Sequence, residues 1–304
     1  MNWLEAYNEY LNYVEYNLKP QSKNSLKERF ENIINPFFKD YKITDIKEID
    51  YLNFQIMINK KNYSNNYKSN IHYLICGFYT YLIKFYNIKK NIPKLVGNFK
   101  MNNERKIYNT YNIKEFKRFI KCFDNKIYKE FFNLLFFTGC RPGEAMALRF
   151  SDLKGNYILI NKTMNEHGKR EITTPKTKNS IRTIIIDRKL KRNLLKLKKY
   201  YISLYKNTSY DFYIFGGIKP LAPTTINRYK ICACKKANLN PIKLHEFRHS
   251  HATMLLEKNI VINEISRRLG HSKTSTTLNI YCHTNKEQEK KVLKTLNSIR
   301  LFKL

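Results

Sequence analysis

Negative charge is scarce in this chain. It holds 24 Asp and Glu against 57 Lys and Arg, a formal net charge of +33 over 304 residues. The scarcity is uneven: residues 1–98 carry 14 basic and 9 acidic side chains, residues 99–304 carry 43 and 15. Lys, Asn, Ile and Tyr all have A/T-rich codons, but a shared codon bias does not by itself load one part of a chain so heavily. A surplus of this size points to a polyanionic partner, nucleic acid first. Long apolar runs are missing too. None approaches the roughly 18 residues of a membrane span, so no membrane partner is expected. The opening "MNWLEAYNEY" is polar and amphipathic, without the basic-then-apolar order of a secretory leader, and a cytoplasmic location is expected. Cysteine is sparse and scattered, at 76, 122, 140, 232, 234 and 282. Only Cys232 and Cys234 are close, and a C-x-C without a second pair reads as reduced structural thiols. Internal repeats and low-complexity segments do not stand out. What is present, 42% hydrophobic residues, supports packed cores and argues against disorder. The length suits about two domains of roughly 100–200 residues.

The first hundred residues read as four short helices in one bundle. Trp3, Tyr7, Leu11, Val14 and Leu18 recur at three- and four-residue steps, and Pro20 ends the pattern. Leu26, Phe30, Ile33, Ile34 and Phe37 form a second stripe. "TDIKEIDYLNFQIMI" reads as a third helix capped by Thr44 or Asp45, and Ile71, Leu74, Ile75, Phe78 and Leu82 mark a fourth. The stretch from Lys94 to Lys106, with Gly97, several Asn and four basic residues, breaks the periodicity and reads as an extended basic linker. Helical spacing returns at 113–123 and 127–138, with Gly139 suited to a helix C-terminus and Pro142 to the first position of the next helix. "YILIN" (157–161), "REIT" (170–173) and "RTIIID" (182–187) predict a three-stranded sheet. From 188 onward the pattern is helical again.

Four stretches hold residues suited to chemistry. "LHEFRHSHAT" places His245 and Arg248 three apart, on one helical face. An isolated pair of this kind is usually solvated or capping. His245, His249 and His251 have poor spacing for three metal ligands on one face. "TGCRPGEAMAL" sets Arg141 at a helix N-terminus, where a guanidinium and helix amides together suit a phosphate. "PKTKNSIRTI" places Lys176 in a turn between strands, with Lys178 as the competing lysine. "LGHSKTSTTLNIYCH" ends a helix at Gly270, presents His271, and offers Ser275 or Thr276 as cap for a helix carrying Tyr281. Taken singly, Tyr281 is one of 23 tyrosines.

The order Arg, Lys, His-x-x-Arg, Gly-His, Tyr, with these flanking residues, resembles the tyrosine recombinase (phage integrase) family over about residues 111–290. The resemblance implies a mainly α fold with a small antiparallel β-sheet. Residues 1–98 would be a helical core-binding (SAM-like) bundle, 99–110 a basic interdomain linker, and 111–304 the tyrosine-recombinase catalytic domain with a C-terminal tail helix. It also implies the roles. Arg141, Arg248 and His245 would hold the non-bridging phosphate oxygens, where permanent or near-permanent donors make a metal unnecessary. Lys176 matches the general acid that protonates the leaving 5′-oxygen. His271 matches the second histidine or tryptophan position on the scissile phosphate, and Tyr281 the nucleophile that forms a 3′-phosphotyrosine. Glu144 would orient the site. No cofactor is implied, since the covalent bond conserves the energy of the phosphodiester without ATP or metal. Tyr281 lies ten residues after His271 where some members have nine, but no other tyrosine follows His271.

The expected function is a site-specific DNA recombinase, the integrase of a phage or mobile element. The expected partners are double-stranded recombination sites, three further copies of the chain in a tetramer, and an accessory directionality or host DNA-bending factor. Two alternatives stay open: a Xer-type dimer resolvase, and a catalytically inactive DNA-binding protein of the same fold. A binder has no need of Lys176 or Tyr281. Because the chain begins directly in the core-binding helices, it reads as a compact or trimmed member without an arm-binding domain. The amphipathic tail, 286–304, would dock in its own domain or on a neighbouring protomer.

Overall fold

The computed structural model describes residues 1–18, 20–100, 109–164, 171–174 and 180–271. The chain divides into two compact units, Met1–Arg105 and Lys106–Leu304. Residues 101–108, most of the segment expected to link them, lie outside the described residues.

The first unit consists of α1 (Trp3–Asn17), α2 (Pro20–Arg29), a π-turn (Phe30–Ile34), α3 (Asn35–Phe38), α4 (Glu48–Asn59), α5 (Asn65–Tyr86) and α6 (Ile92–Val96). Asn2 starts α1 by a reciprocal cap: its side chain accepts the Glu5 N–H, and the Glu5 carboxylate accepts the Asn2 N–H, both at 2.9 Å. Aromatic rings fill the core. Trp3 stacks on Phe38 at 4.5 Å and meets Phe78 edge-on at 5.0 Å, while its indole N–H donates to Asn35 Oδ1 at 2.8 Å. Such ring pairs add about 0.5–1.5 kcal/mol each beyond their burial.

Several sequence expectations need correction in this unit. α1 ends at Asn17, ahead of Pro20 as expected, but Pro20 also opens a further helix, α2, where its missing N–H costs nothing. The second apolar stripe runs through α2, the π-turn and α3 instead of one helix. α4 begins at Glu48, not after Thr44 or Asp45, which sit in a separate 3₁₀ turn; the Asp50 carboxylate accepts the Lys47 N–H at 2.8 Å and sets the boundary. Part of the stretch read as linker is the helix α6, and Phe99 beyond it packs into this core.

The second unit opens on Tyr111, whose N–H donates to Ser250 Oγ at 2.9 Å and whose hydroxyl donates to the Asn240 carbonyl at 2.6 Å. α7 (Ile113–Lys121) and α8 (Lys126–Thr138) follow, capped by Asn112 and Asn125. Phe116 of α7 stacks on Phe136 of α8 at 3.8 Å. Next come α9 (Pro142–Ala147), the strands β1 (Leu153–Lys154), β2 (Tyr157–Ile160), β3 (Thr163–Met164), β4 (Ile172–Thr173) and β5 (Arg182–Ile185), then α10 (Arg188–Tyr205), α11 (Pro223–Ala237), α12 (Glu246–Glu257) and α13 (Ile262–Leu269). The fold is mainly α with small antiparallel sheets.

A three-stranded sheet forms as expected, but with different membership. Its order is β1-β2-β5, whereas β4, from the "REIT" segment, pairs with β3 in a separate two-stranded ribbon. In the main sheet Ile158 lies opposite Ile184, both buried. Pairing there buries isoleucine on the core face. Ile172 of β4 is exposed, so the hydrophobic pattern that selects register is weak in that segment.

Candidate active site

Local rules place the first arginine. α8 ends at Gly139 in the left-handed conformation, φ +67°. Two residues later Arg141 takes the N-cap position of α9, ahead of Pro142. The Glu144 carboxylate accepts the Arg141 N–H at 2.9 Å and Arg141 Nη1 at 2.8 Å. The same carboxylate takes two bonds from Arg182 of β5, Nη1 at 3.1 Å and Nη2 at 2.8 Å. Glu144 is 2% exposed. Burial alone would raise its pKa, but the bonds and charge of Arg182, with the charge and N–H of Arg141, hold it below the usual carboxylate range. Arg182 is fully engaged, with Nε on the Arg268 carbonyl and Nη1 also on Ser180 O. The Arg141 side chain is 36% exposed, which leaves it able to meet a ligand.

The second arginine comes from α12. His245 occupies its N-cap position in αR geometry, so the single turn to Arg248 keeps both residues on one face. Arg248 is 2% exposed, and its guanidinium joins two helix ends: Nη1 donates to Gly139 O at 2.9 Å, Nη2 to Leu269 O at 2.6 Å. Those carbonyls carry the negative end of a helix dipole, which suits a buried cation.

α13 delivers the last described residue. Gly270, φ +70°, ends it, and the His271 N–H turns back to Ser266 O at 3.1 Å while the Gly270 N–H meets Arg267 O. This double closure fixes the backbone of His271 to the final turn of α13.

Electrostatics show these groups converging. Burial first, then the charges of Arg248, His249 and Arg141, lowers the pKa of His245 to about 4, with Glu144 opposing. Burial, then Arg248, Arg141, His245 and Arg182, lowers that of His271 to about 4. At neutral pH both rings are therefore uncharged, each with one N–H to donate. Arg141, Glu144, His245, Arg248 and His271 come together in one site where two arginine charges outnumber one carboxylate. Lys176, Lys178 and Tyr281 lie outside the described residues, as do Ser275, Thr276 and the tail from 286.

Three residues around the site went unassigned in the sequence. Arg182, an arginine in an otherwise apolar strand, was the detectable signal. Arg268 and His251 gave none. His251 is 1% exposed, with Nδ1 at 2.8 Å from Phe136 O and Nε2 accepting from Arg268 Nε at 3.1 Å. Both ring nitrogens thus have protein partners. Among the described residues no cluster of three His, Cys, Asp or Glu is arranged to hold a metal, and the five described cysteines are free thiols. No helix among the described residues is long and apolar enough to cross a membrane.

Comparison with known proteins bears on the family and the fold. The profile described as phage integrase family matches residues 100–288, and that of the phage integrase N-terminal SAM-like domain matches 4–57. The ICEBs1 integrase of Bacillus subtilis (strain 168) is 29% identical over 302 residues, covering 95% of this chain and 81% of that protein. The XerC-like tyrosine recombinase of Caldanaerobacter subterraneus subsp. tengcongensis and the integrase of Staphylococcus phage L54a are matched over 54% and 49% of their own length. Among solved structures, the Tn1549 transposon integrase in complex with transposon right-end DNA superposes with a TM-score of 0.79 at 18% identity, over 98% of this chain and 100% of that one. A lambda integrase tetramer bound to a Holliday junction gives 0.69 at 17%, over 90% and 78%. At such identities the structures establish the fold, and the family profile spans more than half of the sequence. The chain belongs to the phage integrase family, the tyrosine recombinases, which are DNA strand-transferring enzymes.

Proposed function

We propose that this site-specific recombinase is the integrase of a phage or another mobile element. It would cut and rejoin duplex DNA through a 3′-phosphotyrosine on Tyr281 and a Holliday junction. The observation that carries the reading is the joint action of Arg141 and Arg248 on both His245 and His271. Two guanidinium charges beside two neutral imidazoles form a site suited to an anion. A pentacoordinate phosphorus gains negative charge on its non-bridging oxygens, and preorganised donors there stabilise the transition state more than the ground state.

Arg141, Arg248 and His245 bind those oxygens, with His271 supporting the scissile phosphate. An arriving phosphate raises the proton affinity of both histidines and offsets the arginine field. Lys176 serves as the general acid for the leaving 5′-oxygen. Glu144 orients Arg141 without reacting. Residues 1–98 act as the core-binding unit, 99–110 as the connector and 111–304 as the catalytic unit. Four protomers work on two DNA sites in the cytoplasm, and a directionality or host DNA-bending factor sets the outcome.

The test uses nicked suicide duplexes carrying the end sequences of the element that bears the gene. A covalent protein–DNA adduct that Tyr281→Phe abolishes is the expected result. Sequence-specific binding with no adduct from the unaltered protein would leave a non-catalytic DNA-binding protein instead.

A further inference from the structure

Arg268 is a heavily tied side chain near the site that no catalytic role accounts for. Its Nη2 donates to Phe137 O of α8 at 2.9 Å, its Nη1 to Ile185 O of β5 at 3.0 Å, and its Nε to His251 Nε2 of α12 at 3.1 Å. Its own carbonyl accepts Arg182 Nε at 2.8 Å. An arginine cannot accept a hydrogen bond, so His251 Nε2 must be the unprotonated nitrogen. The proton then sits on Nδ1 and donates to Phe136 O, which is a second tie from α12 to the end of α8. One residue past Arg268, the Leu269 carbonyl holds Arg248. Two residues further, His271 is fixed to the same helix end by its N–H on Ser266 O.

We propose that Arg268 and His251 are positioning residues: together they pin the last turn of α13 to α8, β5 and α12, and thereby place His271 beside Arg141 and Arg248. The fork of a guanidinium suits this task because its donors point in fixed directions to three separate elements. Arg268 commits three of its five N–H donors to protein: Nε to His251, and one from each terminal nitrogen to Ile185 O and Phe137 O. The inference rests on the reading of His271 as a phosphate-binding group.

The test compares His251→Phe, Arg268→Leu, the double variant and Arg268→Lys in the full chain. On saturating nicked duplex, the single variants should form covalent adduct about 100-fold more slowly, the scale of a misplacement near 1 Å, with DNA affinity unchanged. The double variant replaces both partners by apolar groups and leaves no buried charge unpaired. Because the two side chains share one hydrogen bond, the loss in the double variant should be smaller than the two single losses combined. Arg268→Lys keeps the cation but not the fork and should lie in between; it carries the test if the others fail to fold.

A second readout needs no catalysis. In histidine-labelled protein, assigned with His271→Gln, the NMR titration midpoint of His271 should move up from about 4 toward the solvent value of about 6.5. Folded variants with an unmoved His271 titration, or with wild-type adduct rates, would overturn the proposal. An unaltered protein that forms no adduct would instead overturn the functional reading, while the titration still decides whether the pair positions His271.

Discussion

Arg182 grips Glu144 with both terminal nitrogens, and both side chains are buried. The strand β5 thus reaches across to the helix α9 and neutralises the carboxylate that steers Arg141. A buried ion pair of this kind is costly to break from one side, because the remaining charge has no solvent.

Glu144→Gln is therefore expected to destabilise the catalytic unit by about 3–5 kcal/mol, leaving Arg182 without its counter-charge. Urea denaturation measures it as a lower midpoint at unchanged slope. A midpoint equal to that of the unaltered protein would show that the pair is dispensable.

Arg141 should behave in the opposite way. Its side chain is 36% exposed and Arg141→Lys keeps the positive charge beside Glu144, so that variant should melt close to the parent protein. Adduct formation on nicked duplex should nevertheless fall about 10²–10³-fold, as for the loss of one preorganised donor to a transition-state oxyanion. A lysine cannot reproduce the fork that serves Glu144 and a phosphate together. Parental activity in that variant would remove Arg141 from the site.

Stability should fall with acid in a defined window. His245, His251 and His271 are held at about 4, 3 and 4, burial being the first cause in each. In the unfolded chain each takes its proton near 6.5. Between those values the unfolded state binds more protons, so stability rises with pH there. The stabilisation is complete above about pH 6.5 and is lost as pH falls through the folded values. Urea midpoints measured from pH 7.5 down to pH 4, at about half-unit steps, should show this slope. His251→Gln should flatten it, and a flat parent profile would contradict the burial of these rings.

Gly139 is the next test. A Cβ there would lie 2.6 Å from His251 Cδ2 and 2.7 Å from Leu269 Cδ2, on a backbone with φ +67°. Gly139→Ala combines overpacking, typically about 1–3 kcal/mol, with left-handed strain of about 1 kcal/mol or more. Calorimetry should record a clear drop in melting temperature, whereas an unchanged melt would mean that the α8, α12 and α13 junction is looser than its geometry.

Charge provides the last prediction. α10 alone has seven basic and no acidic residues. If the surplus of the catalytic unit meets phosphates, the logarithm of DNA affinity should fall steeply and linearly with the logarithm of salt concentration. A nearly flat dependence would return the lysine content to codon usage.

Much of the helical fold is legible because its signals are local. Asn112 and Asn125 cap the helices they precede, and Gly139 and Gly270 end the helices they follow, each within a turn of its own backbone. The β-sheet was legible only in part. "YILIN" and "RTIIID", both read as strands, pair with each other, but the choice of Leu153–Lys154 over "REIT" as third strand depends on partners distant in sequence. The boundary of α4 was missed because Thr44 and Asp45 are good caps that fold into a separate turn.

For the site, the order of residue types was sufficient to single out Arg141, His245, Arg248 and His271, and to direct attention to Lys176 and Tyr281 in segments beyond the described residues. No sequence pattern could show that Arg182, Arg268 and His251 hold this set in place, since each acts on carbonyls or side chains contributed by other elements. Nor could it show that His245 and His271 stay neutral at pH 7, because their proton affinity follows from burial and from arginines brought in by other helices. The sequence by itself determined the charge, several helix ends and a list of candidate site residues, all properties of near neighbours. The tertiary structure decided which strands pair, which arginine is exposed and which is buried, and which way burial moves the proton affinity of the histidines. Those outcomes depend on desolvation and on contacts between elements far apart in the chain.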